Sequence, residues 1–165
     1  MQIHFTNNFP LSRVDEVIDF TLGPRLWISD KGYPDLAQWG QRLYHDLKHS
    51  HKQALIALDH NQVVGSIVYR RHAQDSTALE IRRITVHPSQ QGRYVSDFLL
   101  RNTEIQAQQD FGASHVTVDS KTDAFGMIHF LIRNGYKITD KVDLYGLGAG
   151  DDFIYKKKLA PDLAG

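Results

Sequence analysis

The sequence predicts an α/β protein (an α+β mixed sheet) with a central, mostly antiparallel sheet of about seven strands and helices on both faces. Two observations carry this prediction. Hydrophobic periodicity and turn residues divide the chain into elements in the order β-α-α-β-β-β-α-β-α-β-β. Three consecutive strands joined by short turns favour antiparallel pairing, whereas the strand–helix–strand segment after them favours a parallel crossover. A sheet that holds both connections is mixed.

The first third of the chain is predicted to hold one strand and two helices. Residues 2–6 alternate polar and apolar side chains, which is typical of a short strand. Ser12 is placed to cap the first helix, with Asp15 at the capping-box position, and Gly23-Pro24 ends that helix. A second helix is expected over about residues 35–49. Its apolar face comprises Leu36, Trp39, Leu43 and Leu47.

The middle of the chain is predicted to hold three strands and a helix. β-Branched and other apolar residues are concentrated in three segments that turns separate. These segments are 53–58, 63–72 and 79–86. The third strand ends at His87-Pro88, because Pro has no N–H for the sheet and restricts the residue before it. The helix spans about residues 94–110, and Phe111-Gly112 is a helix-ending signal.

The last third of the chain is predicted to alternate strands with one helix. The expected strands are 115–118, 136–144 and 153–158. A polar loop over residues 119–123 ends in Asp123, which is placed to cap a helix over residues 124–134. Gly135 is expected to stop that helix.

Composition excludes several classes of protein. The 165 residues, 41% of them hydrophobic, indicate a single domain over 1–165 with a tail from about residue 159. Equal numbers of basic and acidic residues give a net charge of zero, so we expect neither a nucleic-acid nor a membrane partner. The absence of Cys excludes disulfides, Cys-ligated zinc and a catalytic thiolate. The first ten residues do not resemble a secretory signal, and we expect a cytoplasmic location.

The junction between the third strand and the following helix is predicted to bind an anion. The connecting segment Ser89–Arg93 is polar and contains one Gly. A helix N-terminus directs free backbone N–H groups and the positive end of the helix dipole at one spot. Arg93 adds a full positive charge beside it.

Two segments resemble the GNAT superfamily of acyl-CoA N-acyltransferases. The segment VHPSQQGRYVS at 86–96 resembles the acyl-CoA loop V-x-P-x-x-(Q/R)-x-x-G-x-(G/A) of that family. The segment IHFLIRNGY at 128–136 is similar to the family helix written fYeklGF. The element order fits the family from about residue 2 to residue 158.

The resemblance implies that acetyl-CoA or another acyl-CoA is the co-substrate and binds at the end of the third strand and in the loop. The implied binding residues are Ile84, Val86, Gln91, Gly92, Arg93, Tyr94, Val95 and Ser96. It also implies that the sheet parts after Val86, between strands 79–86 and 115–118, to admit the pantetheine arm.

Three positions depart from the family pattern. Tyr94 stands where the loop has its central Gly, and Ser96 stands at the final Gly or Ala. The central Gly lets the backbone approach the pyrophosphate closely, so the side chain of Tyr94 has to point away. Leu131 occupies the position of the Tyr that in many family members protonates the departing thiolate.

Glu80 is the candidate general base. It lies six positions before Val86, where histone-type members of the family carry a catalytic Glu. An amine acceptor is largely protonated at neutral pH, so a proton must leave before the nitrogen attacks a thioester. The alternative is an ion pair with Arg82 or across the strands, without a catalytic role.

Other candidates for proton transfer are a tyrosine and three histidines. Tyr145 precedes a Gly-rich loop and is the candidate general acid, because Leu131 cannot donate a proton. His72, His87 and His129 have side chains that act as acid or base near neutral pH.

No metal site is expected from the sequence. His45 and His49 have the i,i+4 spacing of metal ligands on a helix. The sequence offers no third ligand, which favours a solvated helix face instead.

Two functions follow from the resemblance. The first is an N-acyltransferase that moves an acyl group from acyl-CoA to a small-molecule amine or a protein amine without a covalent enzyme intermediate. The second is a catalytically inactive binding or regulatory module with the same fold, which Tyr94 and Leu131 favour. The last strand or the first two helices offer surfaces for a homodimer.

Overall fold

The computed structural model describes residues 2–23, 36–92, 94–143 and 151–160. The strands are β1 Ile3–Thr6, β2 Gln53–Asp59, β3 Gln62–Arg71, β4 Ala78–Val86, β5 His115–Lys121, β6 Lys137–Val142 and β7 Asp152–Lys158. The helices are α1 Val14–Leu22, α2 Leu36–Lys48, α3 Val95–Phe111 and α4 Phe125–Arg133. None of the helices in these ranges is long and apolar enough to cross a membrane. The strands and helices follow one another along the chain in the predicted order, so this prediction is confirmed.

The strands form one seven-stranded sheet in the order β1-β2-β3-β4-β5-β7-β6. β4 is parallel to β5, whereas the β1–β2, β2–β3, β5–β7 and β6–β7 pairs are antiparallel. The predicted mixed, mostly antiparallel sheet is confirmed. The suggestion that the last strand is available for a homodimer is wrong, because β7 lies between β5 and β6 and its edges are both used.

The chain divides into two compact units, of which the first comprises Met1–Arg70 and Arg82–Thr103. Its main core lies on one face of the sheet, where α1 and α2 pack on β2 and β3. The buried members are Val14, Val17, Ile18, Leu43, Ala54, Ile56, Val63 and Val68. On the opposite face, Val95 and Leu99 of α3 approach Gly65. Helices therefore cover both faces of the sheet in this unit, as predicted.

Gly65 is needed for the close approach of α3. A Cβ at this position would lie 3.0 Å from Leu99 and 3.1 Å from Val95. The register of β2 against β3 also shifts here, because Ala57 pairs with Gly65 while Leu58 pairs with Val63. The shift is a β-bulge that leaves Val64 without a partner residue in β2. Its carbonyl accepts a hydrogen bond from the backbone N–H of His87 at 2.8 Å.

The second unit comprises Arg71–Ile81 and Glu104–Gly165. Within it, β5 pairs with β7 along its whole length and with the first residues of β4. A buried cluster joins α3 to β7: the Glu104 carboxylate accepts from the Tyr136 hydroxyl at 2.9 Å and from Lys157 Nζ at 3.0 Å. Burial raises the pKa of Tyr136 well above its ordinary range, and the Glu104 carboxylate adds to that effect.

Two predicted helix caps are wrong. The Ser12 side chain makes no cap hydrogen bond, because residues Leu11–Arg13 form a 3₁₀ turn and α1 begins only at Val14. Asp123 does not occupy the cap position of α4 either. That position is held by Ala124, since β5 extends to Lys121 and a short turn then leads into the helix.

The place where β4 and β5 stop pairing also differs from the prediction. The parallel pairs run from Ala78 with His115 to Ile81 with Val118. β4 continues to Val86, so the pairing ends five residues before the position that the resemblance implied. Beyond Val118, β5 has β7 as its neighbour through Lys121, and this pairing is sufficient to continue the strand.

Candidate active site

The loop after β4 is held at its start by two hydrogen bonds that backbone N–H groups donate. Besides the bond from the His87 N–H to the Val64 carbonyl, the His87 ring caps the 3₁₀ turn Pro88–Gln90, because its Nδ1 accepts from the Ser89 N–H at 3.1 Å. The Ser89 hydroxyl lies 2.8 Å from the same ring nitrogen. His87 therefore shapes the loop, and its Nδ1 is engaged within it.

Two adjacent glutamines divide the loop into a buried and an exposed side. Gln90 is buried, and its Nε2 donates to Asp59 Oδ2 at 3.4 Å. Gln91, which matches the Gln/Arg position of the acyl-CoA loop, has an exposed side chain. The side chain of Gln90 therefore anchors the turn to Asp59, whereas the side chain of Gln91 is exposed and available to a ligand.

Gly92 and Tyr94 both have left-handed backbone conformations. Their φ angles are +78° and +63°, respectively. A non-glycine residue rarely adopts this conformation, and for a bulky aromatic residue it is an outlier that costs of the order of 1 kcal/mol. The Tyr94 side chain is 68% exposed. The backbone at the central position therefore has a shape that suits glycine, and the ring points into solvent.

The first turn of α3 follows immediately. The Tyr94 carbonyl accepts from the Phe98 N–H at 3.0 Å, which places Tyr94 at the cap position of the helix. Val95 is 2% exposed and packs on β3, so the orientation of this turn is set by the core. The backbone N–H groups of Val95, Ser96 and Asp97 precede the first hydrogen bond within the helix. The Asp97 carboxylate lies in the same turn and suits the dipole there.

Side chains near the end of β4 alternate between the face of the sheet that carries α1 and the face that carries α3. Arg83 Nε and Thr85 Oγ1 both donate to the carbonyl of Thr21 in α1, at 3.0 and 2.9 Å. Because side chains alternate along a strand, Ile84 and Val86 point to the opposite face, the one on which α3 packs. Ile84 is half-buried and Val86 is buried. Both predicted binding residues thus lie on the helix α3 side of β4.

Glu80 on β4 is paired with a histidine. His72 Nε2 lies 3.5 Å from Glu80 Oε2, and the two side chains are 25% and 12% exposed. His72 Nδ1 accepts from the Gln74 N–H at 3.1 Å, which places the proton of a neutral ring on Nε2, facing the carboxylate. Glu80 is therefore a largely sheltered carboxylate beside a fixed N–H donor.

The turn before β4 is held by Asp75. Its Oδ1 accepts from the backbone N–H of Thr77 at 3.0 Å and from the Thr77 hydroxyl at 2.6 Å. Its Oδ2 lies 2.9 Å from Nε2 of His115. The hydrogen bonds from Thr77, assisted by His115, lower the pKa of Asp75 to about 2. This carboxylate positions the start of the strand that carries Glu80.

Some predicted residues cannot be placed in this geometry. Arg93 and Tyr145 lie outside the described residues. Leu131 is fully buried in α4, so this position supplies packing and no proton.

The pairing of His72 with Glu80 was not recognised in the sequence, although His72 was considered as an acid or base. A signal was present. β3 and β4 are joined by a short turn, and the His72 N–H donates to the Ala78 carbonyl at 3.0 Å. Because the predicted strand 63–72 already ended at His72, pairing it as a hairpin with the predicted strand 79–86 would have placed His72 near Glu80.

Comparison with known proteins identifies a matching family. The family model described as Acetyltransferase (GNAT) family matches residues 21–136, which is more than two thirds of the chain. The match includes the loop, Glu80 and the segment 128–136. No curated protein sequence matches the chain.

Three solved structures illustrate the likeness of fold. The PaiA N-acetyltransferase from Thermoplasma acidophilum in complex with coenzyme A has a TM-score of 0.74 at 16% identity, covering 96% of this chain and 99% of that one. An acetyltransferase of the GNAT family from Staphylococcus aureus Mu50 has a TM-score of 0.71 at 18% identity, covering 96% and 100%. YncA from Salmonella typhimurium with its cofactor acetyl-CoA has a TM-score of 0.74 at 14% identity, covering 100% and 98%.

Proposed function

Because the chain belongs to the GNAT acetyltransferase family, we propose that it transfers an acyl group from acyl-CoA, in the simplest case acetyl-CoA, directly to an amine. The observation that carries this proposal is the backbone of the loop, in which Tyr94, at the position of the family glycine, adopts a left-handed conformation that favours glycine.

The proposed binding interaction is between backbone N–H groups and the CoA pyrophosphate. The amides from Gly92 to Ser96 would surround the phosphates, as free N–H groups at a helix N-terminus do. The exposed ring of Tyr94 supports this assignment, because a ring directed into solvent leaves the backbone open to a ligand. Arg93 would add a neutralising charge, and Gln91 would supply an exposed amide.

Glu80 is proposed as the general base. It would accept a proton from the ammonium form of the acceptor, directly or through a water molecule, so that the nitrogen lone pair can attack the thioester carbonyl. The C–N bond forms, the C–S bond breaks, the CoA thiolate leaves, and the new amide nitrogen releases its second proton to solvent. The N–H of His72 would hold the carboxylate in position, since its Nε2 already faces Glu80 at 3.5 Å.

Tyr145 is proposed to return a proton to the departing thiolate. This assignment rests on its position before the Gly-rich loop and on the absence of a proton donor at Leu131. The acceptor is proposed to be a small-molecule amine or a protein amine.

The test combines binding and turnover. Acetyl-CoA should raise the melting temperature of the intact protein, because a ligand that binds the native state stabilises it. Turnover is then followed by the free thiol of CoA in a panel of small amines and peptides. The chain has no Cys, so the protein contributes no thiol background. The absence of any thermal shift at millimolar acetyl-CoA would contradict the proposal.

The second candidate function is an inactive CoA-binding or regulatory module. The fully buried Leu131 favours it, because the position at which many relatives carry a proton donor has none here. A protein that is stabilised by acetyl-CoA but releases no thiol with any amine in the panel would support the module. Amine-dependent thiol release would exclude it.

A further inference from the structure

The C-terminal end of α2 carries a cluster of imidazoles that the proposed function does not use. His45 and His49 lie one helical turn apart. Ser50 has φ +60°, and the chain reverses after it. The His51 N–H donates to the Asp46 carbonyl at 2.8 Å, and the Ser50 N–H donates to the Leu47 carbonyl at 3.4 Å. These two bonds form a Schellman motif, which returns His51 to the helix beside Asp46.

Three donor atoms converge as a result. His45 Nδ1 lies 3.5 Å from Asp46 Oδ1, and His51 Nδ1 lies 3.7 Å from the same oxygen. All three ligand atoms are within 4.8 Å of one another. A tetrahedral ion with metal–ligand bonds of about 2.0–2.1 Å has ligand atoms roughly 3.3–3.5 Å apart. Both imidazole nitrogens therefore already lie close to that spacing from Asp46 Oδ1.

The carboxylate of Asp46 is fixed in place for such a role. Lys52 Nζ lies 3.1 Å from Asp46 Oδ2, which leaves Oδ1 directed at the two imidazoles. The negative end of the helix dipole also favours a cation at this end of α2.

We propose that His45, Asp46 and His51 bind a divalent transition-metal ion of the zinc or nickel type. Two imidazoles and one carboxylate suit such ions, whereas Mg²⁺ and Ca²⁺ prefer sites made only of oxygen ligands. The fourth ligand would be His49, whose ring centroid is 4.5 Å from that of His45. Otherwise a water molecule completes the coordination, since His45 and His51 are more than half exposed.

The ion would connect the end of α2 to the start of β2. His51 lies two residues before Gln53, the first residue of that strand. The three ligands are brought together by the native turn, so binding should stabilise the folded state. The site lies away from the loop that carries the proposed function, and its test does not depend on acyl transfer.

The test is a calorimetric titration of the chelator-treated intact protein with ZnCl₂, with MgCl₂ as the comparison. We expect saturable zinc binding, a rise in melting temperature and no effect of magnesium. His45→Ala and His51→Ala should each weaken zinc binding by about tenfold or more. Both residues are exposed, so truncation should leave the fold intact, which circular dichroism verifies.

The matched control is His60→Ala. His60 is 91% exposed and its Nδ1 lies 2.9 Å from Asp59 Oδ1, so it forms a His–Asp pair to which no other described residue adds a second imidazole ligand. This variant should bind zinc like the unmodified protein. His49→Ala should weaken binding less than His51→Ala. The proposal is overturned if zinc gives no heat at about a hundredfold excess over protein, or if His51→Ala binds as well as the control.

Discussion

The loop at 86–96 depends on backbone conformation, whereas the His72–Glu80 pair depends on side chains. The loop owes its shape to the backbone: Val64 anchors its start, Gly92 and Tyr94 set its turns, and α3 holds its end. The pair depends on two side chains, 3.5 Å apart, and on the donor that fixes the His72 ring. A backbone site tolerates a change of residue type if the dihedral angles survive. A side-chain site does not tolerate it.

This difference explains why the sequence can depart from the family pattern at Tyr94. Tyr94 replaces a glycine and still adopts φ +63°, with its ring in solvent. The cost is local strain of the order of 1 kcal/mol, which the packing of Val95 against β3 can offset. The role proposed for Glu80 allows no comparable change, because a proton acceptor at that point requires the carboxylate.

The largest effect is expected from Glu80→Gln, which keeps the size of the side chain and removes the base. It should lower kcat by about 10² to 10⁴ with little change in the KM for acetyl-CoA, because proton transfer is lost while the loop is intact. Steady-state thiol release with the best amine of the panel measures both constants. An unchanged kcat would show that Glu80 is not the base.

The next effect concerns the backbone of the loop. Tyr94→Pro should weaken acetyl-CoA binding by about tenfold or more, because proline fixes φ near −65° and removes one N–H. Tyr94→Gly should bind at least as well as the unmodified protein, and it should be more stable by about 1 kcal/mol. Calorimetric titration and thermal unfolding measure the two quantities. Equal affinities for the Pro and Gly variants would contradict a backbone site.

A smaller effect is expected from His72→Leu, which removes the N–H donor from Glu80. The N–H of His72 faces the Glu80 carboxylate at 3.5 Å and favours its charged form, so without this group the acidic limb of the pH–rate profile should move to higher pH. We expect kcat near neutral pH to fall by about threefold to tenfold. His72→Gln, which retains an N–H donor, should restore the profile. A uniform loss at every pH would indicate packing damage instead of positioning.

The smallest effect is expected from Asp75→Asn. The pKa of Asp75 is lowered to about 2, chiefly by Thr77, so its stabilising contribution is present above the unfolded value of about 4. That contribution is lost as the pH falls through the folded value. The unmodified protein should therefore be slightly more stable than the variant at neutral pH, and the difference should vanish near pH 2. Stability curves that stay parallel down to that pH would contradict this account.

The order of strands and helices could be predicted because it depends on local patterns. Gly135 and Gly112 both have positive φ and follow the ends of helices, as their positions in the sequence indicated. Ser12 was mistaken for a cap because a 3₁₀ turn precedes α1, and nothing in the local sequence distinguishes this turn from the first turn of a helix.

The site was less predictable because its geometry arises from tertiary contacts. The positive φ of Tyr94 is imposed by the anchored loop and by α3, against the preference of a tyrosine. Likewise, the i,i+4 spacing showed His45 and His49, but the return of His51 depends on the conformation of Ser50. Contacts of this kind have no signature in hydrophobic periodicity.

The central claim is that loop amides bind CoA although Tyr94 stands at the glycine position. Titration of ¹⁵N-labelled protein with CoA, followed by the backbone amide resonances, tests it most directly. We expect the largest saturable shifts at Gly92, Tyr94, Val95 and Ser96, because their N–H groups would face the pyrophosphate. Saturable binding that leaves these four amides unmoved would contradict it, and so would a failure of CoA to shift any resonance.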